Sequence, residues 1–132
     1  MARSDTQADG SAPLILIVED DPGTRGLYRD QLMHSGFRTV EAHNGRQALD
    51  KARQCQPAAV LTDIGVPGLD GFELCHELHR AHDTRDIPVL AVTGHPEYLD
   101  QPDRVRRAGI AQLLLKPIDP GTIAVELRRL LR

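Results

Sequence analysis

Three short stretches of the chain are apolar without alternation: Leu14–Val18, Ala58–Leu61 and Val89–Val92. Runs of this length and pattern read as strands covered on both faces. Ile110–Leu115 holds a further strand. Phe37–Ala42 alternates apolar and polar residues, as a half-exposed edge strand does. Between the strands the apolar spacing changes to three and four. Leu27, Tyr28 and Leu32 form one face of a first helix that opens at Pro22 and ends at Ser35-Gly36. Ala48, Leu49, Ala52 and Cys55 form a face after Asn44-Gly45, and Pro57 stops that helix. Leu74, Cys75, Leu78 and Ala81 follow Asp70-Gly71. Pro96 and Pro102 interrupt the next segment, so the fourth helix is expected to start near Asp103 and stop at Gly109. Ile123, Leu127, Leu130 and Leu131 make the buried stripe of the last helix.

Five strands alternating with five helices predict an α/β fold, a (βα)5 doubly wound parallel sheet with right-handed crossovers. Residues 1–12 lack a large apolar cluster and read as a disordered tail, and residues 13–132 read as one domain.

The polar residues then fall into a pattern. The first strand runs into Glu19-Asp20-Asp21, the third into Asp63, the fourth into Thr93 and the fifth into Lys116. In a parallel sheet these ends share one edge of the molecule, where open α/β sheets bind ligands. Each residue alone has a plainer reading. Asp63 suits a turn cap, Asp20 and Asp21 suit a helix N-terminus, Thr93 suits a turn and Lys116 suits a solvated surface. Four strands ending in such groups together outweigh those readings. Clustered carboxylates repel, so Lys116 and a hard divalent cation such as Mg2+ are needed among them. Such a site suits phosphoryl transfer, with Asp63 as the nucleophile and Thr93 donating to a phosphoryl oxygen.

Composition narrows the classes. A net charge of −3 and an aromatic fraction of 3% give no basis for direct nucleic-acid binding. No run is long enough to span a membrane and no apolar leader begins the chain, so a cytoplasmic protein is expected. Cys55 and Cys75 share no metal-ligand spacing and read as small buried apolar residues in a reducing compartment. His76, His79 and His82 share a helical spacing that reads as a solvated face.

The residues Ile17-Val18-Glu19-Asp20-Asp21-Pro22, Asp63-Ile64-Gly65-Val66-Pro67-Gly68-Leu69-Asp70-Gly71, Val92-Thr93-Gly94 and Leu115-Lys116-Pro117 resemble the receiver domain of bacterial two-component response regulators. The four motifs occur in order, 43, 30 and 23 residues apart (20 to 63, 63 to 93, 93 to 116). The resemblance covers Leu14 to Arg132 and implies a CheY-like, flavodoxin-like sheet of strand order 2-1-3-4-5. It implies that Asp63 accepts a phosphoryl group from a sensor histidine kinase or phosphotransfer protein. It further implies Mg2+ held by Glu19, Asp20, Asp63 and the Gly65 carbonyl, with Asp20 the direct acidic ligand and Asp21 in a lesser role. Thr93 matches the switch hydroxyl and Lys116 the phosphate-binding lysine. The Lys116-Pro117 bond is expected to be cis. A downstream protein is expected at the surface of the fourth helix, fifth strand and fifth helix, with a possible homodimer on phosphorylation.

Two departures stand out. The family often has an aromatic residue three places before the lysine, where this chain has Leu113. Gly65 and His95 hold positions that tune phosphate lifetime in the family. The expected protein is a stand-alone receiver or a segment of a longer regulator, with no enzymatic activity beyond self-phosphorylation and self-dephosphorylation. The alternative is a phosphorylation-independent, pseudo-receiver interaction module on the same fold. A flavin carrier fits poorly, because the acidic first loop would repel a flavin phosphate. An aspartyl phosphatase fits poorly, because Gly65 stands where its second Asp is wanted.

Overall fold

A computed structural model describes residues 11–132. The first ten residues of the expected tail lie outside the described residues. The elements are β1 (Leu14–Val18), α1 (Pro22–His34), β2 (Arg38–Ala42), α2 (Gly45–Cys55), β3 (Ala59–Asp63), α3 (Gly71–Arg80), β4 (Val89–Thr93), a 3-10 helix (Pro96–Asp100), α4 (Pro102–Ala108), β5 (Gln112–Leu115) and α5 (Pro120–Leu130). All strand pairs are parallel, in the order β2-β1-β3-β4-β5. The winding therefore reverses between β1 and β3, and the chain has the predicted flavodoxin-like fold.

Helix starts follow the capping chemistry of the sequence. Asp21 accepts from the Thr24 N–H at α1, and Asn44 accepts from the Gln47 N–H at α2. Asp70 and Glu73 form a reciprocal capping box at α3. The proline-interrupted segment resolves into the 3-10 helix and the short α4, which ends on Gly109 with φ +87°.

The non-alternating strands are covered on both faces. Leu16, Val18, Val60, Val89 and Ala91 pack with Ala48, Leu49, Leu74 and Leu78 on the α2 and α3 side. Ile15, Ile17, Leu61, Leu90 and Val92 pack with Tyr28, Leu32, Phe37, Ile123 and Leu127 on the α1 and α5 side. Each fully buried large aliphatic side chain contributes about 1.5–3 kcal/mol.

Several expected core positions sit further out. Leu27 is 63% exposed, because it lies just beyond the α1 stripe that ends at Tyr28 and Leu32. Cys55 is exposed at the last turn of α2, whereas Cys75 is buried. Leu114, Leu130 and Leu131 are only partly buried, Leu114 on the edge strand β5 and the two others at the end of α5. His76 and His82 are exposed, but His79 is not a solvated residue. Its ring lies 3.6 Å from the Cys75 Sγ and 3.3 Å from the Ile87 carbonyl oxygen, against Gly109.

Candidate functional site

The strand register brings the polar strand ends together. Val18 pairs with Thr62, so Glu19 and Asp63 leave adjacent strands at the same level. Asp63 pairs with Val92, so Thr93 emerges one position beyond it. Thr93 pairs with Leu115, and the Lys116 N–H donates to the Thr93 carbonyl at 2.7 Å. Glu19, Asp20, Asp63, Thr93 and Lys116 thus meet at one edge because four parallel strands end together.

The side chains interlock. The Lys116 ammonium donates to Asp63 Oδ2 at 2.9 Å and to Glu19 Oε1 at 3.4 Å. Glu19 is 2% exposed, and its Oε2 accepts from the Asp21 N–H at 3.0 Å. Glu19, Asp20 and Asp63 each offer a carboxylate oxygen within 4.8 Å of the other two. Burial raises the Glu19 carboxyl above its ordinary value, against the opposing pull of the Asp21 N–H and the Lys116 ammonium. Burial also pulls against the charge on Lys116. The hydrogen bond it donates to Asp63 and the charges of Asp63 and Glu19 outweigh it and raise the ammonium above the ordinary lysine value. Asp21 faces away from the cluster, with its carboxylate on the Thr24 N–H and hydroxyl.

Three carboxylates against one ammonium leave an all-oxygen, net negative pocket. That donor set fits a hard divalent cation.

The loop after Asp63 is held by contacts that composition did not reveal. The Gly71 N–H donates to the Ile64 carbonyl at 2.8 Å, and a Cβ there would lie 2.8 Å from the Ile64 Cα. The Gly45 N–H donates to the Pro67 carbonyl, and a Cβ on Gly45 would run into the Leu69 backbone. Gly68 takes φ +86°, a left-handed conformation that favours glycine. The loop is thus clamped between the starts of α2 and α3. Gly65 is different: it is exposed, a Cβ there would meet nothing within 4 Å, and its N–H donates to Asp63 Oδ1 at 3.2 Å.

Thr93 is 1% exposed, and its Oγ1 accepts from the His95 N–H at 3.1 Å. His95 stacks edge-on to Tyr98, with centroids 6.0 Å apart, and Tyr98 stacks edge-on to Phe72 at 5.2 Å. Arg104 lies over both the Phe72 and Tyr98 rings. Tyr98, from the 3-10 helix rather than β5, lines the same cavity as Leu113. The Lys116-Pro117 bond is cis, as expected.

Two supporting residues carried no sequence signal. Arg25 donates to the Glu19 carbonyl at 2.8 Å and pairs with Glu41 at 3.3 Å, bracing the first strand end from α1. Tyr28 reads as a core residue by periodicity, yet it lines a cleft that also contains Lys116.

Comparison with known proteins agrees with this geometry. Residues 15–128 match the response regulator receiver domain. The polar-differentiation response regulator DivK of Brucella anthropi is 38% identical over 104 residues, covering 79% of this chain and 84% of DivK. The signal receiver domain of a signal transduction histidine kinase from Syntrophus aciditrophicus is 31% identical, with a TM-score of 0.81, over 91% of this chain and 90% of that one. The receiver domain of sensor histidine kinase PA1611 from Pseudomonas aeruginosa, solved with a magnesium ion coordinated in the active site cleft, is 29% identical with a TM-score of 0.77. It covers 92% of this chain and 95% of its own. Fold, strand-end chemistry and sequence likeness converge, and the chain belongs to the response regulator receiver domain family.

Proposed function

We propose that this receiver domain is a phosphoacceptor switch that takes a phosphoryl group on Asp63 from a phosphohistidine. The observation that carries the reading is the Lys116 ammonium 2.9 Å from Asp63 Oδ2, beside carboxylate oxygens of Glu19, Asp20 and Asp63 gathered within 4.8 Å. The donor is a sensor histidine kinase or a phosphotransfer protein. A carboxylate oxygen of Asp63 forms the new P–O bond as the P–N bond to the donor imidazole breaks. The imidazole nitrogen keeps the electron pair and takes up a proton. Lys116 stands where negative charge gathers on the transferring group, so it stabilises that charge without reorganising.

Glu19, Asp20, Asp63 and the Gly65 carbonyl would hold Mg2+, and the neighbouring PA1611 domain carries magnesium in its cleft. Bound there, the ion neutralises phosphoryl oxygens that three carboxylates would otherwise repel.

Thr93 keeps a hydroxyl proton to donate while its oxygen accepts from His95. Turning toward a phosphoryl group on Asp63 breaks the His95 bond. The 3-10 helix and α4 follow in sequence, and the change reaches the α4, β5 and α5 surface. There it alters the affinity for a downstream protein or a second copy of the chain. A coupling of about 1–3 kcal/mol suffices for such a switch. The protein works in the cytoplasm and catalyses no turnover beyond gaining and losing its own phosphoryl group.

Incubation with Mg2+ and acetyl phosphate, followed by intact-mass spectrometry, tests this reading. One phosphoryl adduct is expected, absent from Asp63→Ala and absent in chelator. No adduct on the wild type, or an adduct that survives Asp63→Ala, overturns it. A partner that binds Asp63→Asn as tightly as it binds phosphorylated wild type would favour the phosphorylation-independent module.

A further inference from the structure

Tyr28 lies on the inner face of α1, 6% exposed, with its ring in the cluster of Ile17, Leu61, Val92 and Ile123. A phenol buried to this degree ordinarily finds a hydrogen-bond partner for its hydroxyl. Among the described residues the Tyr28 hydroxyl makes no hydrogen bond, yet no fully sealed side-chain polar atom is left unpartnered. The hydroxyl is therefore reached from outside, through the cleft that Tyr28 lines with Thr24, Leu27, Lys116, Pro117 and Ile118. The cleft holds about 470 Å³, ample for water. Burial raises the phenol's pKa, while the Lys116 ammonium pulls it down, so the two groups lie within electrostatic reach.

Lys116 has three N–H donors and spends two of them, on Asp63 and Glu19. The third has no partner among the described residues, and Tyr28, with its unpaired hydroxyl, lines the same cleft. We propose that the Tyr28 hydroxyl is a positioning group for Lys116, accepting its third N–H through one cleft water. Tyr28 thereby holds the ammonium aimed at the phosphoryl group on Asp63. It touches neither the phosphorus nor the carboxylate, so it acts through Lys116. This role rests on the phosphoacceptor reading of Asp63.

Tyr28→Phe removes the hydroxyl and keeps the ring, so the core packing is retained. Two measurements separate this inference from the reading it rests on. Exchange of the Lys116 ammonium protons with water, followed by 15N-detected NMR on unphosphorylated protein, reports the contact alone. At least threefold faster exchange is expected in Tyr28→Phe, with the melting temperature unchanged or higher. Phosphorylation of Asp63 by acetyl phosphate with Mg2+ is expected to slow about tenfold. Tyr28→His, which restores a polar acceptor on a ring, is expected to recover part of the rate. Unchanged proton exchange in Tyr28→Phe overturns the contact. Faster exchange with an unchanged phosphorylation rate overturns the positioning role. If wild type takes no phosphoryl group, the phosphoacceptor reading fails, and the exchange measurement still decides the contact.

Discussion

Glu19 is almost sealed from solvent, and that burial sets how its own carboxyl titrates. Its carboxyl is raised above the ordinary 4.5, so over the window just above that value the folded protein binds more protons than the unfolded chain. Stability therefore falls as pH rises through that window. Urea unfolding in chelator is expected to show this loss from pH 4.5 upward, and Glu19→Gln to flatten it. Lys116 has the opposite consequence. Its ammonium is raised above the ordinary 10.5, so its stabilisation is complete below that pH and is lost as pH climbs beyond it. Gly65 offers a separate test. Open space around its Cβ position means Gly65→Asn should change stability by less than about 0.5 kcal/mol. Its side chain would stand on the approach to Asp63, so loss of the phosphoryl group, followed by mass spectrometry, is expected to slow several-fold. An unchanged rate would remove water access at Gly65 as the controlling factor. The acids, Thr93 and Lys116 were legible because each directly ends a strand. Tyr28 and Arg25 were not, because a helical stripe says which side chains face inward but not what their polar ends meet.

At the level of elements, the loop from Ile64 to Asp70 shows what spacing leaves out. Its Gly and Pro content predicts a non-helical connection. What holds it is the contact with Gly45 at the start of α2 and Gly71 at the start of α3. A methyl group on Gly45 would push into the Leu69 backbone, which cannot yield as a flexible side chain would. Gly45→Ala is therefore expected to destabilise the fold by about 1–3 kcal/mol in urea titration. It should also slow phosphorylation of Asp63, since the loop carries the Gly65 N–H that meets Asp63 Oδ1. The interrupted fourth helix was legible from Pro96, Pro102 and Gly109. The aromatic stack of Tyr98, Phe72 and Arg104 was not, because it joins α3, the 3-10 helix and α4 across loops of no fixed spacing. Leu27 and Cys55 erred in the same direction: both were counted as buried from helical phase, although both side chains are exposed.

For the molecule as a whole, a cation held at the acidic edge would link its binding to folding. A cation that binds the folded site and not the unfolded chain stabilises by about 2.7 kcal/mol at a hundredfold excess over its dissociation constant. Adding MgCl2 is expected to raise the melting temperature, while NaCl at matched ionic strength is not, and Asp20→Asn should abolish the difference. A rise that persists in Asp20→Asn would place the ion elsewhere. The amino-acid sequence alone determined the layers, since unbroken apolar runs between amphipathic helices can be buried only inside a parallel sheet covered twice. It also determined which residues end the strands. Tertiary structure decided the rest: that Lys116 reaches both Asp63 and Glu19 and that Gly45 pins the loop, whereas the β1–β3 pairing was already implied by the family resemblance. Periodicity is a local property set by the turn of one helix or the pleat of one strand. Contacts between residues as distant as Glu19 and Lys116 depend on the order and register of strands, which no local repeat encodes.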